Sequence, residues 1–181
     1  PLAFSKYGKM LYDGIGVNKN FEEAAKYMKM AANNNDTQAI SNYGYFLLNG
    51  IGVPKNIKES IKYFKTAAER GNLHACRFYA EILYTIEVSE DNKKEAAKYF
   101  KLSADSYPIS SYYYGIMLLE GDEIDKNVEE GIMYLKKAAE FNFIDAMIKL
   151  ALIYESGMYG VEINLQEAIK YYKMGDDNGN Y

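Results

Sequence analysis

What this chain has little of narrows its chemistry at once. It holds one cysteine, Cys76, in 181 residues, so no internal disulfide can form, and a cysteine-stapled secreted scaffold is excluded. A thiol left alone favours a reducing compartment such as the cytoplasm, although the sequence leaves the compartment open. The single histidine, His74, lacks the neighbouring ligands or carboxylates that a metal site or a general base needs. It reads as a surface or interhelix residue. His74 and Cys76, two residues apart, would point about 200° away from each other on a helix, which argues against a thiolate–imidazole dyad. Cys76 reads as a small packed side chain. No cofactor and no metal are expected.

Long apolar runs are also missing. A membrane-spanning helix needs roughly 20 apolar residues, and "FIDAMIKLALIY" is interrupted by Asp145 and Lys149. No membrane partner is expected. The 21 Lys and Arg against 25 Asp and Glu leave a net charge of −4, and the lysines are scattered rather than gathered into the stripe that a phosphate backbone demands. Nucleic acid is an unfavoured partner. The chain opens on Pro1 rather than Met, which reads as a processed piece in which a removed leader would leave no trace. Asn35-Asp36-Thr37 is a lone glycosylation sequon in an expected loop, a match that chance supplies readily.

What is present is a repeat. Gly8, Gly44, Ala80, Gly115 and Ala151 fall at one equivalent position, 36, 36, 35 and 36 residues apart. Tyr27, Tyr63, Tyr99, Tyr134 and Tyr171 recur at 36, 36, 35 and 37. Periodicity of this length signals an all-α solenoid of stacked helical hairpins, each burying its apolar face against its neighbours. Five helix-turn-helix units give ten helices, with repeats at about 1–36, 37–72, 73–107, 108–143 and 144–181 in a single domain spanning 1–181. With helix A of each unit turned by about 100° per residue, Ala39, Tyr43, Gly44 and Leu47 share one face, as do Ala75, Tyr79, Ala80 and Leu83. The small residue permits close approach while ring and aliphatic chain fill its flanks.

Helix B begins at a recurring cap. Asn20, Asn56, Asn92, Asn127 and Asn164 are each followed three residues later by Glu (Glu23, Glu59, Glu95, Glu130, Glu167). The spacing predicts a capping box, with the Asn oxygen accepting a free N–H and the Glu answering in return. Small pairs such as Ala31-Ala32 and Ala67-Ala68 then admit the next repeat. The paired acids Glu22-Glu23, Glu129-Glu130 and Asp176-Asp177 sit at helix caps or ends, where they complement the helix dipole. The G-x-G tripeptides at Gly14 and Gly50 follow helices rather than strands and read as turns, not nucleotide loops.

An A-x3-L-G-x2-Y-x2-G-x-G-V first half, an Asn cap and a K-A-x2-Y-x2-K-A-A second half resemble the SEL-one-like repeat family, relatives of the tetratricopeptide repeat, along essentially the whole chain. The G-x-G-V turn and the lack of a repeat-ending Pro separate it from the 34-residue tetratricopeptide unit. The resemblance implies a right-handed superhelix and an adaptor role in multiprotein assemblies. Departures are local. Ile86 and Val88 replace the turn glycines of the third repeat, one residue is missing before Gly115 where Pro108 is expected to open a helix, and the fifth repeat gains a residue near Met158 to Val161. Asp176 and Asp177 suit a solvated outer end.

Opposite the packed stripe, helix A should line a concave groove. Some of its aliphatic residues, such as Ile116 and Leu119, are expected to be core, whereas tyrosines combine a large apolar face with a polar tip. The candidate partner-binding residues are Tyr12, Asn42, Tyr45, Arg77, Tyr84 and Tyr112. The reading is a noncatalytic scaffold for another protein or peptide; alternatives are an RNA-binding helical repeat and a module that associates with a second copy of itself.

Overall fold

The computed structural model describes residues 2–179. Among the described residues it holds ten α-helices and no strand: α1 (Leu2–Asp13), α2 (Phe21–Asn33), α3 (Thr37–Asn49), α4 (Ile57–Glu69), α5 (Leu73–Thr85), α6 (Glu90–Ser103), α7 (Pro108–Glu120), α8 (Val128–Glu140), α9 (Ile144–Ser156) and α10 (Leu165–Gly179), with a short 3₁₀ turn at Met158–Gly160. None is long and apolar enough to cross a membrane. The chain divides into two compact units, residues 1–82 and 83–181, with the boundary inside α5. In unit 1, α1 packs on α2, α2 on α3 and α3 on α4; in unit 2, α6 packs on α7, α7 on α8, α8 on α9 and α9 on α10. Packing between sequence neighbours is how a helical solenoid buries its core.

The small-residue column makes the hairpins close. A Cβ added to Gly44 would lie 3.2 Å from the Phe64 ring and from Tyr63 Cβ, so α3 rests directly on α4. In unit 2 the approach is tighter: a Cβ on Gly115 would sit 3.0 Å from the Gly131 carbonyl oxygen, and one on Gly131 would sit 3.0 Å from that of Gly115. Beside each contact a tyrosine of helix A meets the recurring tyrosine of helix B edge to face, Tyr7 on Tyr27 at 4.8 Å, Tyr43 on Tyr63 at 4.9 Å and Tyr114 on Tyr134 at 4.9 Å. Edge-to-face geometry brings the positive rim of one ring to the negative face of the other.

The caps form at four of the five expected places, and their return bond differs from expectation. Asn20, Asn56, Asn127 and Asn164 each accept the backbone N–H of the Glu three residues on. The cap's own backbone N–H does not go to that Glu. It donates to the end of the preceding helix, at the carbonyls of Leu11, Leu47, Leu118 and Tyr154. At Asn56 and Asn127 the Glu carboxylate accepts from the cap's side-chain amide instead. Each cap thus starts helix B and ties it to helix A.

The third repeat is where the pattern breaks. Without turn glycines, α5 ends at Thr85 and α6 starts at Glu90 with Ser89 as its cap, accepting from the Asn92 N–H. Asn92 is therefore inside the helix, and its amide donates to the Glu87 carbonyl at 2.5 Å. Pro108 does open α7, after Tyr107. The extra residue of the fifth repeat is taken up by the 3₁₀ turn, where Tyr159 adopts φ +60°.

The second turn glycine has a separate job in the second repeat. Gly52 has φ +65°, and a Cβ there would fall 1.9 Å from the Phe21 carbonyl oxygen. The turn after α3 therefore lies on the start of α2. The fourth repeat has Glu123 in the same place, buried and ion-paired with Lys93 of α6 at 2.8 Å.

The glycine contacts give two glycine substitutions opposite signs. Gly115→Val should cost about 2–3 kcal/mol, because backbone on the facing helix cannot yield. Gly175→Ala, with nothing within 4 Å of the added methyl, should stabilise by about 0.5–1 kcal/mol through helix propensity. Urea unfolding of both variants beside the parent chain measures the difference.

Candidate functional site

Helices α1, α3 and α5 of unit 1 bring three of the candidate residues together. Tyr12, Asn42 and Tyr45 line a 290 Å³ pocket with Lys9, Asp13, Met28, Gln38, Phe46 and His74. Its walls are aromatic. Tyr12 lies 5.3 Å from Phe46, and Tyr45 lies 5.4 Å from Phe78 and 6.1 Å from His74. Tyr12 stands one turn beyond Gly8 on α1, where it also meets Phe21 of α2 at 5.6 Å, and Tyr45 directly follows Gly44 on α3.

A chain of amides crosses the pocket. Asn72 donates to the Gln38 oxygen at 3.1 Å, and Gln38 donates to the Asn42 oxygen at 3.0 Å. The Asn42 nitrogen faces the Met28 sulfur at 3.9 Å, a weak acceptor. The relay fixes which way the Asn42 amide points and holds its donor end to the pocket.

Arg77, in the same unit, is placed differently. Its guanidinium lies 4.1 Å from the centre of the Phe78 ring and 3.5 Å from Glu81, so it covers the core rather than lining the pocket. Tyr84 and Tyr112 belong to unit 2, where both meet Tyr113, at 5.2 and 5.3 Å. Burial pushes both phenols up from their ordinary range, with carboxylates adding to it: Glu120 and Glu123 at Tyr84, and Asp145 at Tyr112. Lys93, paired with Glu123, reaches over the Tyr84 ring at 5.7 Å. Of the aliphatic groove positions, Ile116 and Leu119 are core residues of unit 2, while Ile148 and Leu152 are exposed.

His74 and Ser41 have roles that sequence reasoning missed. Ser41 shares the groove-facing stripe of α3, yet it is fully buried, with its Oγ 2.9 Å from His74 Nδ1. Burial, then the Arg77 charge, lowers the imidazole below its ordinary value, which favours a neutral ring beside the serine. The pattern that could have revealed the pair is the spacing of 33 residues, three short of the repeat, which puts one residue against the next helix A. Cys76 is buried as expected, and its thiol is pushed up by burial. Among the described residues no group of three or more His, Cys, Asp or Glu could hold a metal ion.

The His74 shift has a definite sign. Below the ordinary histidine value near 6.5 the unfolded chain takes up a proton that the folded chain resists, so stability falls as pH drops below that value. His74 is the only histidine, so chemical denaturation midpoints at pH 7.5 and 5.5 should differ in the parent and converge in His74→Gln, which keeps a polar partner for Ser41. An equal fall in the variant would assign the dependence to carboxylates.

Comparison with known proteins agrees with this architecture. Five Sel1 repeats match at residues 3–36, 37–72, 74–107, 108–140 and 144–180. A Sel1 repeat protein of Oxalobacter formigenes is 29% identical with a TM-score of 0.80, over 98% of this chain and 73% of its own. A protective antigen of uropathogenic Escherichia coli displaying an SLR fold has a TM-score of 0.88 at 24% identity, over 98% of this chain and 38% of its own. Chitin synthase regulatory factor 3 of Schizosaccharomyces pombe is 29% identical over 65 residues; that match spans 36% of this chain and 7% of the yeast protein. The five matched repeats, laid on ten helices with their glycine crossings and Asn caps, mean that the chain belongs to the Sel1 repeat family, whose members mediate protein–protein interaction.

Proposed function

We propose that this protein is a noncatalytic scaffold that captures an extended segment of a partner protein at the pocket between α1, α3 and α5. The oriented Asn42 amide carries the reading. Its oxygen is occupied by Gln38 and its nitrogen faces only a thioether, so a backbone carbonyl arriving in the pocket gains a hydrogen bond without breaking a strong one. Asp13, which also lines the pocket, offers an acceptor for a backbone N–H. Between them, the Tyr12, Tyr45 and Phe46 rings form a socket whose volume suits one large apolar side chain. Lys9 and Asp13 balance in charge, which suits a neutral peptide unit better than a free carboxylate. An extended strand satisfies both demands, since its polar backbone and its side chains alternate in direction.

The test is selection of displayed random peptides on the immobilised chain, followed by titration of the enriched peptides. Enrichment should favour a large apolar residue, and Asn42→Leu should weaken binding about tenfold, a hydrogen bond's worth in a partly dry site. Tyr12→Ala should weaken it by a similar or larger factor. Helicity and thermal unfolding serve as controls for both variants. Peptides that bind Asn42→Leu and Tyr12→Ala as well as the parent would remove this pocket from the function.

A further inference from the structure

The groove between α2 and α4 carries a charge pattern that the hairpin packing does not call for. It measures 630 Å³, and its wall includes Lys58, Lys62 and Thr66 of α4 and Arg70 at the C-cap of that helix, beside the buried Ala32 and Ile40. The four α4 positions stand four residues apart, so they form one stripe along the helix, with neighbours about 6 Å apart along its axis. Lys58, Lys62 and Arg70 are exposed, and among the described residues none of them belongs to an ion pair. Glu59 is the one acid on this wall, and its carboxylate already accepts from the Asn56 amide.

The stripe is peculiar to the second repeat. Its equivalents are Glu22, Lys26, Met30 and Asn34 in the first repeat and Glu129, Met133, Lys137 and Phe141 in the fourth; in the third, Lys94 is paired with Glu90 and Leu102 takes the place of Thr66. Arg70 is also held in position. Its guanidinium donates to the backbone carbonyl and the side-chain oxygen of Asn35, at 3.4 and 3.2 Å, in the turn after α2 where Asn35 takes φ +63°. Both acceptors are neutral, and a guanidinium has five N–H groups, so Arg70 keeps donors for an anion.

Spacing and sign together select the ligand. In an extended peptide alternate side chains point the same way, about 6.5 Å apart, close to one interval of the stripe. A carboxylate at every second position meets Lys58 and Lys62 in succession and Arg70 two intervals further on, where a bidentate pair can form. A nucleic-acid backbone fits less well, because it needs a continuous basic track, whereas Glu59 interrupts this wall and the chain carries a net charge of −4. We propose that the groove between α2 and α4 binds an acidic, extended segment of a partner protein, its alternate Asp or Glu side chains paired with Lys58, Lys62 and Arg70. The groove shares no lining residue with the pocket between α1, α3 and α5, so either site can fail without the other.

The probe is a fluorescent, end-capped peptide of alternating Glu and Ser, titrated with the whole chain at low ionic strength and followed by anisotropy. It should bind with a Kd below about 1 mM and weaken as salt is raised. Lys58→Glu combined with Lys62→Glu should weaken it about tenfold or more. Helicity and thermal unfolding should stay as in the parent, since both side chains are exposed and an acid in the first turn of α4 suits the helix dipole. Arg70→Gln, which keeps an amide for Asn35, should weaken binding about threefold, and Asn42→Leu should leave it unchanged. A peptide of the same composition with its Glu residues contiguous should bind about threefold less well. Equal binding of the two peptides would mean that net charge alone is read, and overturns the proposal. So does a parent chain that leaves the probe free, or a charge-reversed variant that binds as well as the parent. Oligouridine bound more tightly than the alternating peptide, and lost in the same variants, would overturn it by assigning the stripe to phosphates.

Discussion

The close crossing of helix A over helix B at a glycine or alanine is the constraint on which the rest depends. Where Gly115 and Gly131 face one another, each carbonyl occupies the space a methyl would need. That proximity brings the paired tyrosines into edge contact and lets the cap N–H of Asn127 reach the Leu118 carbonyl. The cap bond in turn fixes where helix B starts relative to helix A. A hairpin so determined presents the same faces in every copy, which is what allows it to be repeated.

Much of this was legible in the sequence because it rests on short-range rules written five times. The glycine column, the Asn caps and the Pro108 helix start all depend on residues a few positions apart. The failures also have a common origin. The capping box predicted a bond from the cap N–H to Glu, but a neighbouring helix end was a better acceptor, and only packing reveals that. At Asn92 the local signal was intact while the turn before it had lost its glycines; with no left-handed residue to stop α5 in the usual way, Ser89 captured the cap role.

The candidate site was partly legible for the same reason. Three of the residues grouped by angular position on helix A, Tyr12, Asn42 and Tyr45, meet at one pocket. It could not distinguish a ring lining the pocket from a guanidinium folded over Phe78, because Arg77 has a long stem and its direction is set by what it can cover. Nor could it foresee that Ser41, on the groove side, would be buried by His74 of the following helix. Backbone geometry on one helix fixes which residues share a face, whereas the direction of a side chain held by a partner one repeat away depends on that partner.

Exchange of Gly for Glu at the fourth turn shows how a repeat tolerates the loss of its own rule. Gly52 must be small because the start of α2 lies against it. At the equivalent Glu123 the preceding repeat is the irregular one, in which α6 begins early at Glu90 and presents Lys93. The space that glycine keeps empty elsewhere is filled here by a carboxylate, and the positive charge facing it offsets the desolvation of that acid. Removing Glu123 alone would leave Lys93 without its anion, and restoring glycine alone would leave a gap. The irregular third repeat and the missing fourth-turn glycine therefore meet at one contact, the Lys93–Glu123 ion pair.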